Sequence, residues 1–425
     1  MNPQQRRRAG VVTLQLVAVT IATSVAVRVP GLPAGLAAGL CFVAVISAAL
    51  LISWGAEAAQ FYVSQGLAVA VIALLQVVPE FMVEAVIAWR AGKDGAVDLI
   101  FANATGSNRL LTGFGWPLVF LVTDIYHRKK GLGPLKAIEL RSEHVVEVAA
   151  LLLASCWYLV LLAKRSLGLV DAAVLGGGFF LYLWILQRLP AEEEEEIDEL
   201  IAPARALALA EPARRRNAAI LGLFVLGGVV MWAVAEPFLV AMKDVAVAIG
   251  VSQFAFVQWV APFLTEFPEK VTAVYWSRTV RLAPMALLNL ISSTVNQYTA
   301  LVAMVPVAFA LSAGHAMAIP MDGLHRVELF LSFATTLYGV ACLAKLRFTR
   351  WNANVMVALF LLQFFYQGPI DIPDIAVGGL RITAVRSHVL VAWAYIAAAA
   401  VELFVHRREI RLAGALRHTL ALLRR

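Results

Sequence analysis

Charge and cysteine are what this chain has least of. Only 15% of its 425 residues are charged, against 61% hydrophobic, and the mean hydropathy is +0.79. A soluble protein of that length needs far more polar surface, so the composition implies a polytopic membrane protein. The three cysteines, Cys41, Cys156 and Cys342, each sit in an apolar run. No spacing offers a zinc site or a disulfide framework, which leaves them as packing residues. Strict alternation of polar and apolar residues is also missing. The apolar runs are continuous and about 20 residues long, which excludes a membrane barrel and demands helices. No nucleophile–base triad or metal-protease motif occurs, so no enzyme and no cofactor are expected. The run Gly176-Gly177-Gly178 lacks a following Lys-Ser/Thr and reads as a helix-packing stretch, not a phosphate loop.

The formal charge of +7 belongs to the arginines that orient the helices, so nucleic acid is not expected as a partner; the lipid bilayer is. Twelve spans are expected at about 9–28, 34–58, 62–91, 96–124, 145–163, 168–188, 217–240, 247–277, 283–311, 325–344, 352–367 and 384–406. Met1–Val27 has a basic head and an apolar stretch without a convincing cleavage site, and reads as a first transmembrane helix. With both termini in the cytoplasm, the basic clusters fall inside: Arg6-Arg7-Arg8, His127 to Lys130, Arg214-Arg215-Arg216, and Lys345 with Arg347 and Arg350. That asymmetry follows the positive-inside rule. The long polar connection 189–216, with Glu192 to Glu196, reads as a solvated linker. The basic tail 408–425 spaces Leu412, Leu416, Leu420 and Leu423 as one helical face for the inner membrane surface.

Two segments about 190 residues apart say nearly the same thing. One holds Val63-Ser64-Gln65, Pro79-Glu80 and Asn103-Ala104-Thr105-Gly106-Ser107-Asn108. The other holds Val251-Ser252-Gln253, Pro268-Glu269 and Asn289-Leu290-Ile291-Ser292-Ser293-Thr294. Proline removes a helix donor and frees carbonyls, which can coordinate a cation where broken backbone lines a cavity. An ionised carboxylate at mid-membrane costs roughly 2.5 kcal/mol or more, so a paired Glu80 and Glu269 require a cation or protons. The Asn and Ser side chains add the neutral oxygens that calcium and sodium prefer. Glu84, one turn beyond Glu80, is a further carboxylate on the same face. Glu57 and Glu236 read as structural, and His127, His315, His325 and His406 as peripheral.

These residues resemble the two α-repeats of the sodium/calcium exchanger family, within the cation/calcium exchanger superfamily. Asp98, Asn103, Gly106, Ser107 and Asn108 match that family's Asp-x4-Asn-x2-Gly-Ser-Asn, and Pro79-Glu80 ends its Gly-Thr-Ser-Leu-Pro-Glu. Thr265 and Pro268-Glu269 match in the second copy, with Asn289, Ser292, Ser293 and Thr294 as a softened form. The resemblance implies an all-α polytopic membrane protein, an inverted repeat of two five-helix halves with broken helices at the site and one extra helix at each end. The corresponding boundaries are 1–33 for the added helix, 34–188 for the first repeat, 189–216 for the loop, 217–370 for the second repeat, and 371–425 for the last helix and tail. Departures fall at Leu111 and Gln297, where the family offers Asn or Asp. Arg109 and Lys270 stand beside the matched residues and act as tethered counter-ions if they face the ions.

The expected activity is secondary antiport of Ca2+ for Na+ or H+ by alternating access, in a bacterial inner membrane, with inorganic cations as the partners. The expected ligands are Glu80, Glu269, Asn103, Ser107, Asn108, Asn289, Ser293, Thr294, Thr265 and Gln297, with Gln76 and Glu266 in second rank. The rival readings are a cation/proton antiporter of other selectivity and a non-transporting membrane protein that retains the scaffold. The sequence leaves oligomeric state open.

Overall fold

A computed structural model of the chain describes residues 1–62, 78–189, 197–366, 369–377, 380–412, 414–415 and 417. Val63-Ser64-Gln65, Gln76-Val77, Glu192 to Glu196 and most of the tail beyond Arg411 lie outside the described residues. Eight described helices are long and apolar enough to cross a membrane, from Pro3–Ala26 to Ser387–Val405. The other expected spans are shorter, broken or more polar in their described parts. Polar residues mark where helices begin: Asn2, Ser252, Asp322 and Thr349 each accept a backbone N–H of the first turn, satisfying donors that would otherwise be orphaned. Ser252 belongs to the repeated Val-Ser-Gln, so in the second copy that motif is a helix start.

One expected span, 247–277, is two helices. Gln253–Thr265 and Phe267–Thr279 meet at Glu266, between Pro262 and Pro268. The Glu266 N–H closes the first helix on the Pro262 carbonyl at 3.0 Å. Pro268 and Glu269 then occupy the first turn of the next helix, where a missing N–H is harmless and a carboxylate meets the positive helix end.

The chain folds into two compact units, each drawing on both halves of the sequence. The first comprises 1–103, 180–275 and 307–315; the second comprises 104–179, 276–306 and 316–425.

In the first unit the Ala34–Ala59 helix packs along Ala213–Ala248. Their backbones approach at Gly227, where a Cβ would stand 2.6 Å from Ile52 Cγ1 and 2.9 Å from the Ala48 carbonyl oxygen. The linker is less solvated than expected. Its short Ala202–Ala208 helix buries Ala204 and Ala208 against Trp54 and Ala58, since a run of alanines and leucines has little to gain from water.

In the second unit the Gly323–Leu343 helix is enclosed by Val145–Lys164 and Ser387–Val405. Small antiparallel pairings join its loops: Ala137–Glu139 with Arg347–Thr349, and Ser166–Leu167 with Ile319–Pro320. A hairpin of Pro369–Val377 and Leu380–Arg386, absent from the sequence reading, precedes the last helix. Of the glycine run, a Cβ on Gly176 would stand 3.7 Å from Ala303 Cβ, an ordinary contact, while a Cβ on Gly177 or Gly178 would meet open space among the described residues. His325, expected at the periphery, is buried and its backbone N–H donates to Asp322 Oδ1 at 2.8 Å.

Candidate cation site

The two Pro-Glu glutamates come from opposite halves of the sequence and fold into the same unit. Glu80 lies in the first described turn of Val78–Asp94, and Glu269 in the first turn of Phe267–Thr279; both are buried. Glu84, one turn past Glu80, is fully buried and accepts a hydrogen bond from Asn103 Nδ2, on the following helix Asp98–Leu110. Glu57 is buried as well, and Thr272 donates to it at 2.8 Å and Ser53 at 3.3 Å. Its counterpart Glu236 is exposed and pairs with Arg90.

Acid outnumbers base in this unit's interior. Lys270 is buried, but its ammonium lies 2.5 Å from Glu266 Oε2, one turn back on the same chain segment. Among the described residues neither Glu84 nor Glu269 forms an ion pair. One oxygen of each, Glu84 Oε1 and Glu269 Oε2, has no hydrogen-bond partner, and neither has Asn103 Oδ1. An unmet buried polar atom costs about 1–3 kcal/mol. All three unmet atoms are oxygens, the donor set of a hard cation. Thr265 is buried and spends its hydroxyl proton on the Ala261 carbonyl at 3.0 Å, which leaves its oxygen lone pairs available.

The second unit holds the rest of the matched residues. Ser107 and Asn108 are buried near the end of Asp98–Leu110, and Asn108 Nδ2 donates to the Tyr158 hydroxyl at 3.0 Å. Ser107 Oγ and Asn108 Oδ1 have no hydrogen-bond partner. On Ala283–Asn296, Ser293 and Thr294 are buried while Asn289 is half-buried, and Thr294 bonds back to Leu290 at 2.8 Å.

Each of these helices runs into a π-helical turn, at Leu111–Gly115 and at Gln297–Leu301. The two turns are offset by 186 positions, as are Asn103 and Asn289, so the repeat extends to backbone irregularity. Such bulges recur at functional sites because they redirect side chains from the helical ladder. Leu111 and Gln297, the two departures from the motif, are the first residues of the turns and are both buried.

Arg109 does not serve as a counter-ion to Asn108's face. It is fully buried, with Nη2 2.6 Å from Glu328 Oε2 and Nε donating to the Thr105 carbonyl at 3.1 Å. One residue on a helix turns about 100°, and here that turn points the guanidinium at another helix. Two residues escaped the sequence reading. Asn296, with an unmet Oδ1, stands where the first copy has Leu110, so the repeat gave no signal. Tyr158 lies 50 residues from Asn108 in an ordinary apolar run.

Buried acids that outnumber the buried bases of their unit among the described residues, broken helices and a duplicated plan suit a helical membrane transporter for cations. The sodium/calcium exchanger protein family matches residues 11–187 and 219–368, and the chain belongs to that family. A crystal structure described as the H+/Ca2+ exchanger CAX is 29% identical, covers 98% of this chain and 99% of its own, and superposes with a TM-score of 0.86. The sodium-calcium exchanger NCX_Mj, at 18% identity, TM-score 0.51 and coverage of 82% and 99%, shares the fold. YfkE, at 14% identity, TM-score 0.59 and coverage of 83% and 98%, does so too. No curated protein matches the chain. The chain is an integral multi-pass membrane protein of the class that exchanges Ca2+ for another cation.

Proposed function

We propose that the protein exchanges Ca2+ for H+ across a bacterial inner membrane, with Glu80 and Glu269 as the central ligands and both termini in the cytoplasm. The observation that carries this reading is the burial of Glu84 and Glu269 without an ion pair among the described residues, each with one unmet oxygen. Carboxylates in that state are balanced by a bound cation or by protons. Asn103, Ser107, Asn108, Asn289, Ser293, Thr294, Thr265 and Gln297 add neutral oxygens. Calcium accepts six to eight such oxygens in a flexible cage.

Protons and calcium compete for the same carboxylates, so loading one releases the other. The site crosses only when its charge is neutralised, and that condition couples the two fluxes. Alternating access then follows from movement of one helix bundle against another. Support for the proton over sodium comes from Leu111, an apolar residue where the motif offers a further oxygen. A relative at 29% identity is described as an H+/Ca2+ exchanger.

Purified protein in liposomes tests the proposal. Ca2+ uptake driven by a pH gradient without sodium is the expected result. Uptake that needs a Na+ gradient assigns sodium as the partner, and no uptake under either gradient overturns antiport altogether.

A further inference from the structure

Away from the Pro-Glu carboxylates, the second unit buries a polar network contributed by four helices. Glu328 on Gly323–Leu343 holds Arg109 through Oε2 at 2.6 Å and meets His388 Nδ1 through Oε1 at 2.6 Å. The other ring nitrogen, Nε2, lies 3.0 Å from the main-chain carbonyl oxygen of Gln363, on Arg350–Phe365. The Gln363 side-chain oxygen accepts from Arg109 Nη1 at 3.3 Å. Arg109, Glu328, Gln363 and His388 are all buried.

Counting donors decides the protonation of this group. A carbonyl oxygen only accepts, so Nε2 carries a hydrogen. A carboxylate also only accepts, so a contact from Nδ1 at 2.6 Å requires a second hydrogen, either on Nδ1 or on Glu328 itself. A neutral imidazole facing an ionised carboxylate lacks one hydrogen for these two contacts. We infer that Glu328 and His388 together bind a proton of their own, in a buried site separate from the cation ligands, and that this proton sets how tightly Glu328 holds Arg109.

Glu328 reaches His388 from one helix, Gln363 offers only an amide and a carbonyl from the second, and Arg109 stands across Glu328 on the third. The phenols of Tyr298 and Tyr395 lie within the field of Arg109. The same face of Gly323–Leu343 continues through Ser332 and Thr336. Ser332 Oγ donates to the Thr105 carbonyl at 3.3 Å, and Tyr298 Oη lies 2.8 Å from both the Ser332 carbonyl and Thr336 Oγ1. One helical stripe thus touches the Asp98–Leu110 helix, which carries Asn108, and the second π-helical turn, which starts at Gln297. Loss of the proton sets two acceptors against one hydrogen, so His388 must turn away, and it leaves the full negative charge of Glu328 to Arg109, the neighbour of Asn108. His388 lies past the residues 11–187 and 219–368 matched by the family.

The test uses the full-length protein in detergent micelles. Nitrogen NMR of labelled histidine, assigned with His388→Gln, is expected at neutral pH to show His388 with both nitrogens protonated. A protonated Glu328 carboxyl in the infrared spectrum, absent in Glu328→Gln, supports the site equally. A neutral His388 beside an ionised Glu328 overturns it. Neither measurement needs transport, so it stands or falls apart from Ca2+/H+ exchange, on which only the positioning role rests. For that role, His388→Gln is expected to transport Ca2+ in liposomes with one protonation step missing from its pH profile. A profile of unchanged shape at reduced rate overturns the positioning role.

Discussion

Asn103 donates its side-chain amide to Glu84, a fully buried carboxyl group with no ion pair among the described residues. The two residues sit on consecutive helices of the first repeat, and each keeps one oxygen without a partner. The amide satisfies part of Glu84 without neutralising it, so the negative charge remains available to a cation or a proton. An arginine in the same place would remove that option.

Glu84→Gln is therefore expected to lower the initial rate of Ca2+ uptake in liposomes by roughly tenfold or more, the equivalent of about 1.4 kcal/mol. Expression is expected to be unaffected, because glutamine keeps the volume and the capacity to accept from Asn103. Asn103→Ala removes a hydrogen bond to a charged group, worth about 1.5–3 kcal/mol, and is expected to reduce uptake as well. Wild-type rates in both variants would show that Glu84 is only a packed acid.

Glu80→Gln and Glu269→Gln test the central pair. Each is expected to abolish uptake driven by an ion gradient while the protein still reaches the membrane, since the loaded site then carries the wrong charge to cross. Radiolabelled Ca2+ uptake under a pH gradient measures it. Normal uptake in both would remove the pair from the mechanism.

The membrane class, the repeat and the Pro-Glu segments were legible in the sequence because each is written in adjacent residues. Continuous apolar runs need no tertiary context to declare a helix, and Pro268 next to Glu269 marks a break in the helix by its own chemistry. What escaped depends on distance along the chain. Arg109 meets Glu328 across 219 positions and His388 meets Glu328 across 60, and no local pattern announces either partner. The π-helical turns were also illegible. They have no compositional signature, and Leu111 and Gln297 begin them with unlike side chains. Val-Ser-Gln was readable as a repeat but not as a cap, because its role in the second copy depends on where Gln253–Thr265 begins.

Lys270 and Glu266 form a buried ion pair within one helical turn, and its removal separates charge balance from contact. Lys270→Met leaves Glu266 buried without its base, a change that costs about 3–5 kcal/mol. The apparent Tm of the purified protein is expected to fall clearly. The double variant Glu266→Gln with Lys270→Met removes both charges and is expected to recover most of that loss, because a buried pair and its neutral replacement differ little. A double variant no more stable than Lys270→Met alone would mean that the lysine acts through packing.

Gly227 sets how closely the Ala34–Ala59 and Ala213–Ala248 helices approach. A Cβ there would stand 2.6 Å from Ile52 Cγ1 and 2.9 Å from the Ala48 carbonyl oxygen, whereas a Cβ on the adjacent Gly228 meets nothing within 4 Å. The isoleucine can rotate, but the carbonyl belongs to a helix backbone and cannot yield without moving the helix that carries Glu57. Overpacking of that kind costs about 1–3 kcal/mol. Gly227→Ala is accordingly expected to lower the apparent Tm, and Gly227→Val to lower it further. Gly228→Ala is expected to be neutral or slightly stabilising, since alanine favours a helix over glycine by about 1 kcal/mol. Thermal melts of the three variants check the contrast. Equal effects at 227 and 228 would mean that the two helices do not meet at Gly227.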